Sequence, residues 1–160
     1  VSLGWHGNAI LVRRGIVVKA TQRITLPGAE PRGAVAVTLQ DGLTIVGVHL
    51  GLLRTSRRKQ LQKLMDAFAE PRQTVIIGDM NEWSHRCGFE PIADTYTLYN
   101  PGRSFHAARP VAALDRFAIS GDLALYDAGV VQTPLTKRAS DHLPIWADIH
   151  CQPLKAETPA

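Results

Sequence analysis

Cysteine is nearly missing from this chain: Cys87 and Cys151 are the only two among 160 residues. Two thiols are too few for a disulfide scaffold and match no zinc spacing. That excludes a disulfide-stapled secreted domain and a zinc-finger module, and it favours a reducing compartment, the cytoplasm. Long apolar runs are missing too. No stretch approaches the roughly 20 residues that cross a bilayer, so no transmembrane segment is expected. The opening VSLGWHGNAI has neither the basic head nor the apolar core of a secretion signal. Charge of one sign is only mildly in excess, with 18 Lys and Arg against 14 Asp and Glu, a net +4. Such a balance suits an anionic partner without singling one out. Internal repeats and low-complexity segments are lacking.

What is present is the composition of one globular domain, 45% hydrophobic and 20% charged, with enough chain to bury a core. The domain is expected over residues 1–150, and the tail from 151 to 160, CQPLKAETPA, is expected to be disordered. The chain opens on Val1 and reaches the strand-like NAILVRR within a dozen residues. A segment upstream is therefore expected to have been removed.

Periodicity predicts mostly strands. NAILVRR, GIVVKATQRITL, RGAVAVTL, LTIVGVHL, TVIIG, LDRFAIS, LALYDAGVV and PIWADIH are short, rich in Val, Ile and Leu, and bounded by Gly, Pro, Asp or Asn. One helix is predicted over Arg57 to Phe68, where Leu61, Leu64, Met65 and Phe68 recur at helical spacing. It would cross over between LTIVGVHL and TVIIG. Asp41-Gly42, flanked by apolar runs, predicts a hairpin and hence antiparallel pairing.

The polar residues fall at strand ends and strand starts. TVIIGDMN ends a strand on Asp79 and Asn81, which two-residue spacing places on one side of an extended chain. There a carboxylate could hold a water or a cation, and an amide could donate to an oxygen gaining charge. A strand ending in an Asx turn is the alternative reading. His49 closes LTIVGVHL, Asp115 opens LDRFAIS, and Asp141 with His142 precedes PIWADIH. In an antiparallel sheet the start of one strand neighbours the end of the next, so these residues can meet on one edge. Arg57, Arg58 and Lys59 would crowd the first helical turn, where the dipole disfavours cations; a nearby phosphate would offset that, and ordinary surface charge explains it as well. Trp5, His6 and Phe105 could flank a cleft and stack on a base or sugar, or simply pack.

In this order and spacing, GNAIL, EPRGA, VHLGL followed by RRKQLQKL, GDMNEW, SFHAARPVAALDRFAIS and ASDHLPIWADI resemble the endonuclease/exonuclease/phosphatase superfamily. These are the metal-dependent phosphoesterases related to pancreatic deoxyribonuclease, and the resemblance runs from about Gly4 to about His150. It implies an α/β (α+β) fold: a two-sheet sandwich of mainly antiparallel strands with the site at one edge. It also implies roles. His142 would touch the scissile phosphate and move protons, with Asp115 orienting its ring. Asp79 would position and activate water, Asn81 would bind phosphate, His49 would contact a phosphate oxygen, and Asp141 would help hold Mg²⁺ or Mn²⁺. Asn8, Arg32 and Arg57 would face the substrate.

The implied reaction is divalent-metal-dependent hydrolysis of a phosphoester, of phosphodiesterase or nuclease type, by attack of water on phosphorus. Nucleic acids, lipid head groups and small phosphoesters are all substrates of this fold. The sequence departs from the family at its beginning. The strand carrying an Asn and the following Gln-Glu, whose Glu is the principal metal ligand, do not precede GWHGNAIL. Glu30, Glu70, Glu82, Glu90 and Glu157 stand in contexts that do not match. The fold is thus expected to be N-terminally incomplete, with a sheet edge open to self-association. The competing reading is a chain that binds phosphate-bearing ligands or a partner without turnover.

Overall fold

The computed structural model describes residues 2–68, 73–84 and 87–151. Ten strands and two helices follow in the order β1 (Ser2–Trp5), β2 (Asn8–Leu11), β3 (Val18–Leu26), β4 (Arg32–Leu39), β5 (Thr44–His49), α1 (Arg54–Ala67), β6 (Thr74–Asp79), β7 (Tyr96–Tyr99), β8 (Asp115–Ser120), β9 (Leu123–Val130), α2 (Thr136–Ala139) and β10 (Ile145–Cys151). A 3-10 turn, Glu90–Ile92, precedes β7. The expected tail lies outside the described residues apart from Cys151, the last residue of β10.

Six strands form the main sheet in the order β3-β4-β5-β6-β8-β7. Its pairs are antiparallel except β5 with β6, which are parallel. A parallel pair needs a crossover, and α1 supplies it, as the sequence predicts. The β4–β5 hairpin turns at Asp41-Gly42, where Gly42 has φ 97° and the Asp41 carboxylate accepts from the Leu43 amide at 3.1 Å. Alternation along the strands then divides the residues between two faces. Ala34, Ala36, Val46, Val48, Ile76 and Ala118 pack under α1 through its buried Leu61 and Leu64, with Met65 and Phe68 at the margin. Val75, Phe117 and Ile119 point the other way and pack against Leu125, Ala128, Ile145 and Ile149 of the β9–β10 hairpin. The β1–β2 hairpin covers the β4–β5 part of that second face, with Ile10 lying over Gly47 and Val35. The result is the expected α/β sandwich of mainly antiparallel strands.

Several boundaries differ from the sequence prediction: β2 stops at Leu11 and β3 starts only at Val18, inside the predicted NAILVRR and GIVVKATQRITL. α1 begins at Arg54, three residues early, so Arg57, Arg58 and Lys59 lie in its second turn and not at its positive end. The apolar stripe that signals this helix starts only at Leu61. No side chain caps its first turn; the segment before it is held from afar, with Gly51 N–H donating to Gln60 Oε1 at 2.8 Å and Leu52 N–H to Glu30 Oε1 at 3.3 Å. Strands β1 and β7 and helix α2, each only four residues long, were not predicted; β1 is fixed by pairing with β2 and β7 by pairing with β8.

Close approach of β5 and β6 requires glycine at position 78. Its φ is 143°, and a Cβ there would stand 2.0 Å from the Val48 carbonyl oxygen. Gly78→Ala is expected to destabilise the fold by about 1–3 kcal/mol, the usual cost of overpacking. An unchanged urea midpoint would show instead that the two strands can part locally.

Candidate active site

Register brings the polar strand ends together. His49 at the end of β5 lies beside Asp79 at the end of β6, and Asp79 faces Asp115 at the start of β8. His142 joins them from the segment before β10 through a bridge to Phe105. The four side chains form a row. Asp79 Oδ2 stands 3.4 Å from His49 Nε2 and 3.8 Å from His142 Nε2, and His142 Nδ1 is 2.7 Å from Asp115 Oδ2. Behind Asp115 the buried Ser104 hydroxyl donates to the same oxygen. The row faces a cleft of ≈ 500 Å³ whose walls include Asn81, Leu52, Trp83, Phe105 and Asp141.

Asn81 arrives by the Asx turn that the sequence offered as its alternative reading. The strand stops at Asp79, and Asn81 takes φ 50°, a left-handed conformation that Asn tolerates. Its N–H donates to Asp79 Oδ1 at 2.8 Å, and its side-chain amide donates to the Leu50 carbonyl at 2.9 Å. The Asx turn and the shared cleft, alternatives in the sequence, therefore coexist. The same turn passes the chain to Glu82, which is 1% exposed. Arg54 grips both Glu82 carboxylate oxygens at 2.9 and 2.8 Å, Arg57 donates to Oε2 at 2.7 Å, and Arg116, next to Asp115, donates to the Glu82 carbonyl at 2.7 Å. This buried knot ties the Asn81 loop to α1 and β8. Burial alone would raise the Glu82 pKa, but the bonds from Arg54, the Ser84 amide and Arg57 outweigh it and hold the carboxyl down at about 2.

The row separates the two histidines electrostatically. Burial lowers His49 and the Arg32 charge lowers it further, so this ring favours the neutral form. Burial works the same way on His142, but the hydrogen bond and charge of Asp115, with the charges of Asp79 and Asp141, outweigh it and raise the pKa. Asp79 is itself raised, by burial and by Asp115, against the pull of the Asn81 N–H. One imidazole that holds its proton more firmly than usual, one that holds it less firmly and one carboxylate of increased basicity thus share a cleft, the kind of separation that divides acid from base duties. His142 contributes to folding fully below its unfolded pKa, and that contribution is lost as pH rises through its higher folded value.

Three expected site residues sit elsewhere. Arg57 is 5% exposed, and besides Glu82 its guanidinium donates to the Gly51 and Leu52 carbonyls at 3.1 and 2.5 Å, so it holds the cleft wall and does not face substrate. Asn8 closes the β1–β2 turn, its amide donating to Gly33 O at 2.8 Å and Trp5 O at 3.3 Å. Trp5 and His6 belong to that hairpin too, the Trp5 ring lying so close to Gly33 that a Cβ there would meet it at 2.3 Å. Arg32 bonds Glu30 through Nε and Nη2 at 3.0 and 2.7 Å, yet remains near enough to lower His49. Sequence reasoning missed Ser104, Glu82 and Trp83. None repeats with a period or sits at a strand end, and the only signal for them was their place inside the motifs GDMNEW and SFHAARPVAALDRFAIS, which gave them no role of their own.

Asp141 lies at the cleft with one carboxylate, which accepts from Ser140 Oγ at 3.3 Å. Among the described residues no group of three or more His, Cys, Asp or Glu side chains is arranged to hold a metal ion. A hard divalent cation takes about six oxygen donors, so Mg²⁺ or Mn²⁺ at Asp141 does not fit these side chains alone and would need donors beyond them.

One edge of this α/β sandwich thus gathers a His–Asp–His–Asp row. The chain belongs to the endonuclease/exonuclease/phosphatase family, whose model matches residues 1–142. It is 28% identical over 165 residues to the uncharacterized protein YbhP of Escherichia coli K12, a match covering 92% of this chain and 64% of that protein. The chain thus spans 64% of the length of that curated relative. A conserved protein of unknown function from Enterococcus faecalis V583 has a similar fold, with TM-score 0.73 and 14% identity over 86% of this chain and 68% of that one. So does a mannosyl-6-phosphatase of Bacteroides thetaiotaomicron, with TM-score 0.67 and 11% identity over 84% of this chain and 67% of that one. No helix among the described residues is long and apolar enough to cross a membrane.

Proposed function

We propose that this chain carries the reaction cleft of a phosphoester hydrolase, of phosphodiesterase or nuclease type. The observation that carries the reading is Asp79 Oδ2 placed between two imidazoles, at 3.4 and 3.8 Å, with a second carboxylate 2.7 Å behind one of them. Family membership supports the reaction class. A phosphate seated between His49 and His142 would be held by the His142 imidazolium, by His49 and by the second amide hydrogen of Asn81. Arg32 adds a cation at the His49 side. Asp79, made more basic by burial, orients a water for attack and draws off its proton. His142 then hands its Nε2 proton to the leaving oxygen, and Asp115, held by Ser104, fixes the Nδ1–H tautomer that makes this possible. A divalent cation bound with Asp141 and further donors would neutralise phosphate charge.

The test is hydrolysis of bis(4-nitrophenyl) phosphate by this chain, with Mg²⁺, with Mn²⁺ and with a chelator, followed against pH. Activity that needs the His142 imidazolium is expected to persist above pH 6.5, the ordinary histidine value, and to fall as pH rises through the elevated pKa. Asp115→Asn removes the largest upward influences and leaves burial opposed by Asp79 and Asp141 alone, so its alkaline limb should move to lower pH, with a rate loss of about 10²-fold or more. An unmoved limb would separate Asp115 from His142. Phosphate binding by a folded chain without turnover would favour the ligand-binding reading over hydrolysis.

A further inference from the structure

The connection from β2 to β3 sets large apolar side chains beside cations at the surface. Leu11, Ile16 and Val17 are 82%, 49% and 59% exposed, and Arg13, Arg14 and Lys19 are exposed among them. The backbone holds them there. Ile16 N–H donates to the Arg13 carbonyl at 3.2 Å across a turn in which Gly15 has φ 96°, and the Val17 carbonyl accepts from Gln40 N–H at 3.0 Å. Leu11 follows Ile10, which packs over Gly47, so alternation along β2 sends Leu11 outward. No Asp or Glu occurs in the chain before Glu30. Among the described residues none of the three cations forms an ion pair. The adjoining β4–β5 turn brings one carboxylate, Asp41, which accepts from the Leu43 amide.

We propose that this loop is a peripheral docking surface for an anionic lipid bilayer. Aliphatic side chains beside unpaired cations match the bilayer boundary, where the first enter the acyl region and the second meet head-group charge. The phosphates of a nucleic acid would satisfy the cations but leave Leu11, Ile16 and Val17 in water, because aliphatic chains offer bases no stacking platform. Protein partners are gripped mainly through Trp, Tyr and Arg, with Leu and Val under-represented, and no aromatic residue lies between Leu11 and Lys19. The loop is at the end of the main sheet opposite the cleft. Val18 pairs with Leu39 at one end of β4, and Arg32 at the other end acts on His49. The eight residues of β4 set these ends about 25 Å apart. A docked chain therefore keeps its cleft open to soluble esters, and the docking stands independently of the phosphoester reading.

The test is flotation of the whole chain with vesicles of phosphatidylcholine alone and of phosphatidylcholine with about 30 mol % phosphatidylserine. The anionic vesicles are expected to bind at least about ten-fold more strongly, and to lose that advantage as salt rises from about 0.1 to 0.5 M. Arg13→Glu combined with Arg14→Glu should abolish the preference. Ile16→Ser combined with Val17→Ser should weaken binding to the anionic vesicles about ten-fold and leave the binding of a single-stranded oligonucleotide unchanged. Equal binding to the two vesicles, or a preference that survives the charge reversal, would overturn the docking surface. So would an unchanged vesicle affinity in the serine variant, which would leave charge attraction alone and point to a nucleic acid instead. The side chains changed are all exposed, and melting curves of both variants verify that they fold.

Discussion

His142→Ala is expected to lower phosphoester hydrolysis about 10²–10⁴-fold, the range for a positioned acid–base group, while leaving the fold nearly as stable as before. The contrast with His49 makes the case. Both rings approach Asp79 Oδ2, but His142 has Asp115 2.7 Å behind Nδ1, and its side chain is 24% exposed against 44% for His49. The carboxylate that raises His142 also fixes its tautomer; His49 is pushed in the opposite direction, by burial and Arg32. His49→Ala should therefore cost about ten-fold, as the loss of one phosphate hydrogen bond of about 1.5 kcal/mol. Initial rates of the two variants at one pH decide between these roles. Equal losses would mean that neither ring has a privileged task, and a loss below about ten-fold for His142→Ala would remove it from the proton-transfer step. Titration of the His142 ring by NMR gives an independent check that needs no turnover: its pKa should lie above 6.5.

Glu82→Ala is expected to cost about 3–5 kcal/mol of stability, because it leaves Arg57 as a buried cation without its counter-charge. For a chain of this size that corresponds to a fall in Tm of about 6–20 °C. The two arginines are not equivalent. Arg54 is 50% exposed on its side chain and Arg57 6%, so Arg54→Ala should cost about 1 kcal/mol or less, as exposed pairs do. The contribution of Glu82 has a defined pH window. Its folded pKa, about 2, lies below the ordinary 4.5, so its stabilisation is present above the ordinary value and is lost as pH falls through the folded one. Thermal melts of the wild type and Glu82→Ala should converge near pH 2 and stand furthest apart at neutral pH. A difference under about 1 kcal/mol at pH 7 would mean that Arg57 finds water or another acceptor. The functional consequence follows from position: Glu82 sits between Asn81 and Trp83, so loosening it should raise KM more than it lowers kcat.

Much of the fold is written locally. Alternating Val, Ile and Leu mark β4, β5, β6 and β8, the Leu61-Leu64-Met65-Phe68 stripe marks the inner face of α1, and Asp41-Gly42 marks the turn between β4 and β5. These signals need only the periods of strand and helix, and the burial of apolar surface that both serve. The same reading places His49 and Asp79 at strand ends and Asp115 at a strand start, so their meeting follows once β5, β6 and β8 are neighbours. Asp141 and His142 were likewise placed at a strand start, before PIWADIH, but β10 pairs with β9 in a separate sheet, and His142 reaches the edge through its bridge to Phe105.

Other features depend on partners far away in the chain. The first turn of α1 has no apolar stripe and no side-chain cap, and it is tied down by Glu82, 28 residues on from Arg54, which accepts from two of that residue's three guanidinium nitrogens. Arg57 reads as a surface cation because charge in a sequence has no depth; tertiary contact with Glu82 buries it. Asn81 reads as an extended neighbour of Asp79 until the left-handed turn swings its amide to the Leu50 carbonyl. The opposite shifts of His49 and His142 are beyond any sequence pattern, since both are histidines near Asp79. What separates them is a carboxylate behind one ring and a guanidinium near the other, distances fixed only when the sheet is assembled. The sequence by itself determined most of the strands, the crossover and which polar residue types stand at the strand ends, because these rest on period and residue type. The tertiary structure decided which charges are buried, in which direction each histidine is shifted and where Trp83 stands, because those rest on the space between residues that the chain keeps far apart.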